Sequence, residues 1–286
     1  MQFHSPRTEN EALHTLAELG NSAMVMAGGT DVMVQYQRGE IHPESLVHIG
    51  LIERLDEIAQ NGTVRIGTLV CHRRLATDSL ICARFPSLAE AASTVGGWQT
   101  QEAGTIGGNL CNASPAADTA PPLLVADAAV HLAHAGGGRT LPLSEFLLDR
   151  RLTARRPDEL LTVVELPDPA NYSGETYLKV GPRSGMEVAL VGLAVRLTFT
   201  DDGATVADAR IAACSVGPRP FRATVAEAVL VGSRLEQEAV AEAGQLLAES
   251  ARPIDDARGL ADYRRRVLAP LLGRAVDICR RRALGG

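Results

Sequence analysis

Two short segments, each built around a pair of adjacent glycines, constrain this chain more than any other feature of its sequence. The first is Ala27-Gly28-Gly29-Thr30-Asp31, and the second is Thr105-Ile106-Gly107-Gly108-Asn109, followed by Asn112, Ser114 and Asp118. Glycine permits positive φ and leaves space for an anion to reach main-chain N–H groups. Two such segments in one domain predict a backbone that approaches one ligand in two places. The pattern therefore indicates a site for a nucleotide pyrophosphate.

The first glycine pair is predicted at a junction between a strand and a helix. Thr8 and Glu11 have the spacing of a capping box at the start of an earlier helix, and residues 22–27 then form a short apolar strand. A further helix begins next, with Thr30 or Asp31 as its cap. The free N–H groups and the dipole of a helix N-terminus favour an anion at this junction.

The remaining pattern predicts an α/β region followed by an antiparallel one. Predicted strands occupy 47–49, 64–66, 128–143 (a hairpin turning at 136–138), 160–166, 176–180, 189–200 and 207–216, and predicted helices occupy 85–95, 121–126, 221–231, 237–250 and 260–282. Turn-forming residues at 168–174 mark a composition shift. We therefore predict an N-terminal domain over residues 1–170 and a C-terminal domain over residues 171–286.

Composition excludes several classes of protein. The 286 residues carry a formal net charge of −6, whereas nucleic-acid binding would need a basic excess. The most apolar window, 188–199, is too short to span a bilayer and contains Arg196, and neither a membrane span nor a signal peptide is expected. The five cysteines form no C-x-x-C pair, which argues against a disulfide framework, a zinc site or an iron–sulfur cluster in this chain. We expect a reducing, cytoplasmic location.

Other chemistries find little support in the spacing of the residues. The dinucleotide fingerprint G-x-G-x-x-G and the P-loop are both absent, so a nucleotide would need another architecture. His131 and His134 lie three apart on a predicted strand and point to opposite faces, so a metal site is not expected. No Ser/His/Asp arrangement or pair of carboxylates suggests a catalytic residue. Gly28-Gly29 alone fits a structural turn more often than a site, and only its combination with the second segment and Lys179 is specific.

These residues resemble the FAD-binding medium subunits of molybdenum hydroxylases, a group that includes carbon monoxide dehydrogenase and the flavin part of xanthine dehydrogenase. The resemblance covers essentially the whole chain. It is carried by residues 27–31, by 104–109 with 113–115 and Asp118, by 160–167, by Tyr177-Leu178-Lys179, and by 218–220 and 258–265 near the C-terminus.

The resemblance implies an α+β protein. Its FAD-binding domain would be of the vanillyl-alcohol-oxidase/PCMH-like type, with two α/β parts that meet near residues 55–60 and hold the cofactor between them. Its C-terminal domain would combine a three-stranded antiparallel sheet with a helical bundle. The implied FAD ligands are Val25, Met26, Ala27, Gly28, Gly29, Thr30, Asp31 and Val32 around the pyrophosphate, Thr105, Gly108 and Asn109 opposite them, Val95 and Gly96 against the isoalloxazine, Asp118, Leu160, Leu161 and Lys179 at the flavin end, and also Asn112 and Ser114. No catalytic residue or metal ligand is implied.

The resemblance also implies partners. A molybdenum-pterin large subunit would oxidise the substrate, a [2Fe–2S] small subunit would relay the electrons to this FAD, and two such heterotrimers could associate. Two departures stand out: Gln101-Glu102 replaces the family's frequent Arg-Asn, and residues 183–187 (Arg-Ser-Gly-Met-Glu) replace Arg-x-x-Asp. Two alternatives stay open, a stand-alone FAD-dependent oxidoreductase and a scaffold that binds nucleotide weakly or not at all.

Overall fold

The N-terminal strands form a small parallel sheet. The computed structural model describes residues 1–183 and 185–285, so Ser184, within the departure at 183–187, lies outside the described residues. The first sheet has the order β1-β3-β2, and its elements, numbered in chain order, are β1 (Gln2–His4), α1 (Glu9–Leu19), β2 (Ala23–Met26), α2 (Val32–Gln37) and β3 (Ser45–His48). Thr8 caps α1 as predicted, because its Oγ1 accepts from the Glu11 N–H at 3.2 Å. The Glu11 carboxylate accepts from the N–H of Arg7 at 2.8 Å.

A five-stranded antiparallel sheet follows, with the order β4-β5-β10-β6-β7. Its strands are β4 (Ile58–Gln60), β5 (Thr63–Gly67), β6 (Ala129–His134), β7 (Gly137–Pro142) and β10 (Leu160–Pro167), and β8 (Leu147–Asp149) pairs separately with β9 (Leu152–Thr153). The helices are α3 (His72–Thr77), α4 (Ser79–Arg84), α5 (Pro86–Ser93), α6 (Trp98–Ala103), α7 (Ile106–Asn112), α8 (Ala120–Val125) and α9 (Leu143–Phe146). The predicted hairpin forms, but its turn lies at residues 135–136 rather than 136–138, because His134 pairs with Gly137 and β7 begins there.

The C-terminal region forms a four-stranded antiparallel sheet backed by helices. Its elements are β11 (Ser173–Val180), β12 (Val191–Phe199), β13 (Val206–Cys214), β14 (Phe221–Arg222), α10 (Thr224–Leu230), α11 (Gln237–Ser250) and α12 (Ala261–Ala283). The expected sheet had three strands, and β14 adds a short fourth. The predicted helix at 221–231 therefore begins late, because Phe221 and Arg222 pair with Ala213 and Ala212 instead.

The two faces of this last sheet are buried in different cores. Tyr177, Ala194 and Ala212 are cross-strand neighbours, and all three pack into the core beneath the five-stranded sheet. Val195 and Ile211, on the opposite face, pack into the core formed with α10, α11 and α12. The C-terminal sheet thus packs against α5 and α8 of the preceding region. The domain boundary at residue 170 stays a prediction.

No helix among the described residues is long and apolar enough to cross a bilayer.

Candidate functional site

A cleft of about 920 Å³ lies where the parallel sheet, α2, α7 and β9 meet. Its size is typical of a small-molecule or cofactor site. The lining includes many of the predicted ligands, namely Val25, Ala27, Gly28, Gly29, Thr30, Asp31, Val32, Val95, Thr105, Gly108, Asn109, Asn112, Leu160 and Leu161. The predicted residues Met26, Gly96, Ser114, Asp118 and Lys179 lie outside this lining. The structure thus brings the two glycine segments to one cleft, while the role of each residue as a ligand stays a prediction.

The first glycine segment presents unused hydrogen-bond donors. Within the described part of the chain, the backbone N–H groups of residues 28–32 donate to no acceptor. Gly29 adopts φ +72°, and Gly28 packs so tightly that an added Cβ would lie 1.6 Å from the carbonyl oxygen of Ala103. Unpaired main-chain donors ahead of a helix form a concave anion site. This segment therefore fits the diphosphate of a nucleotide cofactor.

The second glycine segment is not the loop that the sequence predicts. Thr105 caps α7, so Gly107 and Gly108 lie in its first turn, where Gly108 N–H donates to Thr105 Oγ1 at 3.1 Å. The N–H of Ile106 donates to the Val70 carbonyl and that of Gly107 to the Thr68 carbonyl, both at 3.0 Å. These three N–H groups already donate within the protein, so they are not available to a ligand. The segment instead offers a backbone surface without side chains, together with the Thr105 hydroxyl.

Two asparagines hold the cleft wall through their side chains. Asn112 Oδ1 accepts from Gln35 Nε2 at 3.1 Å, which links the end of α7 to α2. Asn109 Oδ1 accepts from Thr119 Oγ1 at 2.8 Å and so ties α7 to the start of α8. Burial raises the pKa of Asp31, and Arg151 and Asn112 partly oppose that shift.

Asp118 and Lys179 form a buried ion pair behind the cleft. Lys179 Nζ lies 2.9 Å from Asp118 Oδ2, and the side chains are 9% and 8% exposed. Lys179 also donates to the carbonyl of Thr94 at 2.9 Å, and the Tyr177 hydroxyl donates to Asp118 Oδ1 at 2.6 Å. Burial raises the pKa of Tyr177 well above its ordinary value, so the phenol stays a donor. The pair therefore connects the C-terminal sheet to the turn that carries Val95.

Gln101 and Glu102 occupy different environments. Gln101 is buried, and its Nε2 donates to the carbonyl of Ser93 at the end of α5 at 2.8 Å. Glu102 is exposed beside it. Of the two residues that depart from the family's pattern, Glu102 alone presents its side chain to the surface.

Arginines contribute a set of cleft residues that sequence reasoning did not assign. Arg38, Arg150, Arg151, Arg155 and Arg258 all line the cleft. Arg150, Arg151 and Arg155 belong to an arginine-rich stretch at 150–156 between predicted elements, and Arg258 begins the C-terminal string at 258–265 that carries the resemblance. Their positive charge complements the donors of the first glycine segment and favours an anionic ligand.

His72, at the start of α3, is a second residue that sequence reasoning missed. It lines the cleft, is 2% exposed, and has an Nδ1 atom without a hydrogen-bond partner among the described residues. Burial lowers its pKa from the ordinary 6.5 to about 4. The imidazole is therefore neutral at physiological pH.

This lowered pKa predicts an acid-dependent loss of stability. Between pH 6.5 and about 4 the unfolded chain binds a proton at His72 that the folded chain does not bind. Stability therefore falls as the pH drops through this window, by about 3 kcal/mol for a shift of that size. Urea unfolding of the FAD-free chain at pH 7 and pH 4 measures the loss. In His72→Gln, which does not titrate, the loss should be smaller by that amount; an equal loss in both chains would contradict the assignment.

Two family models together match nearly the whole sequence. The FAD binding domain in molybdopterin dehydrogenase matches residues 1–169, and the CO dehydrogenase flavoprotein C-terminal domain matches residues 176–278. The chain belongs to the family of FAD-binding medium subunits of molybdenum hydroxylases. The predicted family and the predicted FAD cofactor are confirmed.

Individual members of this family align over almost the full length. The carbon monoxide dehydrogenase medium chain of Hydrogenophaga pseudoflava is 30% identical over 277 residues, covering 96% of each chain. The putative xanthine dehydrogenase FAD-binding subunit of Escherichia coli K12 is 26% identical, covering 96% of this chain and 94% of the relative. Relatives named as dehydrogenases place this member among the oxidoreductases.

Solved structures show the same fold. Carbon monoxide dehydrogenase from Hydrogenophaga pseudoflava lacking the Mo-pyranopterin moiety superposes with a TM-score of 0.94 at 31% identity, covering 99% of this chain and 98% of that one. Quinoline 2-oxidoreductase from Pseudomonas putida 86 gives 0.90 at 26% identity, covering 100% and 97%. The predicted α+β class, with an FAD-binding domain followed by an antiparallel sheet and helices, is confirmed.

Proposed function

We propose that this family member is the electron-transfer subunit of a molybdenum hydroxylase-type dehydrogenase, receiving electrons from a [2Fe–2S] partner and passing them to an external acceptor. The observation that carries the proposal is the run of backbone N–H groups at residues 28–32, which donate to no described residue and lie in a cleft lined by arginines. This arrangement fits a diphosphate in a chain whose family binds FAD. Bound FAD would supply a flavin ring that accepts or donates one or two electrons.

The chain's own residues would bind and orient that cofactor. The N–H groups of residues 28–32 would donate to the pyrophosphate, and Thr105, Gly108 and Asn109 would close the opposite wall of the cleft. Leu160 and Leu161 would supply apolar contacts from the edge of β10. Asp118 and Lys179 would act on the flavin end through the turn that carries Val95 and Gly96, because Lys179 holds the carbonyl of Thr94. We propose no catalytic residue and no metal ligand in this chain.

The proposal includes two partner subunits. Relatives carry the names medium chain, FAD-binding subunit and complex subunit alpha, which are names of components of larger enzymes. We therefore propose a molybdenum-pterin large subunit and a [2Fe–2S] small subunit, assembled as a dimer of heterotrimers. We also propose a cytoplasmic location, since the five cysteines are all free thiols. The proposed domains cover residues 1–170 and 171–286.

Purification of the native protein from its source tests this function. We expect a yellow protein that releases FAD and copurifies with a larger and a smaller chain, with molybdenum and iron confined to those chains. Absorption spectra, cofactor extraction and metal analysis provide the readout. A homo-oligomer that holds FAD, has no partner chains and is fully active would favour the stand-alone oxidoreductase. A colourless protein without FAD would overturn both the electron-transfer subunit and the stand-alone oxidoreductase, and would favour a scaffold that binds nucleotide weakly or not at all.

A further inference from the structure

His72 lies where the two glycine segments approach each other. The backbone N–H of His72 donates to the carbonyl of Gly104 at 3.0 Å. A Cβ built on Gly104 would lie 3.2 Å from His72 Cδ2 and 3.4 Å from Thr30 Oγ1, so only the bare glycine separates the ring from the first segment. The imidazole thus stands on the cleft wall beside the unpaired N–H groups of residues 28–32.

The His72 ring has no hydrogen-bond partner among the residues that the structure describes. This holds although the residue is only 2% exposed; Nδ1 is fully buried, so Nε2 is the ring nitrogen that a ligand in the cleft can reach. A buried polar group without a partner lowers the stability of a fold, so such a group on the wall of a binding cleft points to a ligand. His4 on β1 also has a buried ring nitrogen, Nε2, that bonds to no described residue, but His4 does not line the cleft. Position therefore distinguishes the two histidines.

We propose that His72 is a ligand of bound FAD and donates a hydrogen bond from its Nε2 to a phosphate oxygen of the pyrophosphate. This inference rests on the proposed function. The N–H groups of residues 28–32 would hold the negatively charged pyrophosphate close to Thr30. The His72 ring lies near Thr30, on the other side of Gly104. A neutral imidazole carries one N–H donor and needs no counter-ion. A hydrogen bond to an anionic oxygen is stronger than one between neutral groups.

The test compares His72→Leu, His72→Gln and the control His4→Leu in the full-length chain stripped of FAD. Flavin fluorescence gives the dissociation constant for added FAD, and ³¹P NMR gives the pyrophosphate resonances of the complex. We expect His72→Leu to bind FAD about ten- to hundred-fold more weakly and to shift the ³¹P resonances. His72→Gln, which retains a donor, should recover part of the affinity, and His4→Leu should bind as the wild type does.

The stability of the FAD-free chain separates a ligand from a core residue. His72→Leu replaces an unpaired buried polar group with an apolar one, so the unfolding temperature should stay equal or rise while FAD affinity falls. Wild-type affinity and unchanged ³¹P resonances in His72→Leu would overturn the assignment of His72 alone. Failure of the wild type to bind FAD would overturn the proposed function as well. If His72→Leu does not fold, ¹⁵N imidazole resonances of the wild type decide, because FAD must shift those of His72.

Discussion

Alanine in place of Gly28 is expected to abolish FAD binding and to lower the free energy of unfolding by about 3 kcal/mol or more. The new Cβ would lie 1.6 Å from the carbonyl oxygen of Ala103 and 2.5 Å from its carbonyl carbon. Both atoms belong to the backbone at the end of α6, so no side-chain rotation relieves the overlap. The two glycine segments must separate, which opens the cleft that they form. Urea unfolding and FAD titration of Gly28→Ala measure the two effects.

Gly273→Ala is the matched control for this substitution. Gly273 lies inside α12, and a Cβ built there meets no atom within 4 Å. Alanine in a helix interior is favoured over glycine by roughly 0.5–1 kcal/mol, so this variant should be as stable as the wild type or slightly more stable, with unchanged FAD binding. Wild-type stability and wild-type affinity in Gly28→Ala would show that the first segment does not pack against α6 in this way.

The second large effect is expected from Lys179→Met. This change leaves the Asp118 carboxylate buried with no cation beside it, and removing one partner of a buried ion pair costs about 3–5 kcal/mol. It also releases the carbonyl of Thr94, so the turn that carries Val95 loses its link to the C-terminal sheet. We expect a lower free energy of unfolding and an altered absorption spectrum of bound flavin. Urea unfolding and visible spectroscopy of the purified chain provide the measurements.

Two further variants control this experiment. Asp118→Asn combined with Lys179→Met removes both charges while keeping an acceptor for the Tyr177 hydroxyl, so it should recover much of the lost stability. Arg266→Met breaks the ion pair with Asp262, whose side chains are 71% and 74% exposed, and should cost less than about 1 kcal/mol. Equal losses in Lys179→Met and Arg266→Met would mean that burial does not set the strength of the Asp118–Lys179 pair.

The sequence was most informative where a local rule decides the structure. Thr8 caps α1, residues 128–143 form a hairpin around their glycine run, and residues 237–250 form the predicted helix. Each of these depends on side chains a few residues apart. The family resemblance was equally local in origin, since it came from short strings around the glycine pairs, and it identified the cofactor.

Local rules misplaced the second glycine segment. Glycine pairs favour loops, but Thr105 accepts the N–H of Gly108 and so starts a helix through these residues. Gly107 is required by a distant neighbour, because a Cβ there would lie 1.6 Å from Thr68 Oγ1. The sequence separates these residues widely, so spacing could not show that the glycine serves close packing rather than a turn.

By itself, the sequence determined the class of the protein and its cofactor, because the motifs that identify them consist of residues adjacent along the chain. Tertiary structure alone decided which distant groups meet. It paired Asp118 with Lys179 behind the cleft and brought the arginines at 150–155 to its wall. It also left the His72 ring buried there with no hydrogen-bond partner in the described part of the chain. These features depend on burial and on contacts between separate elements, and neither quantity can be read from neighbours in the sequence.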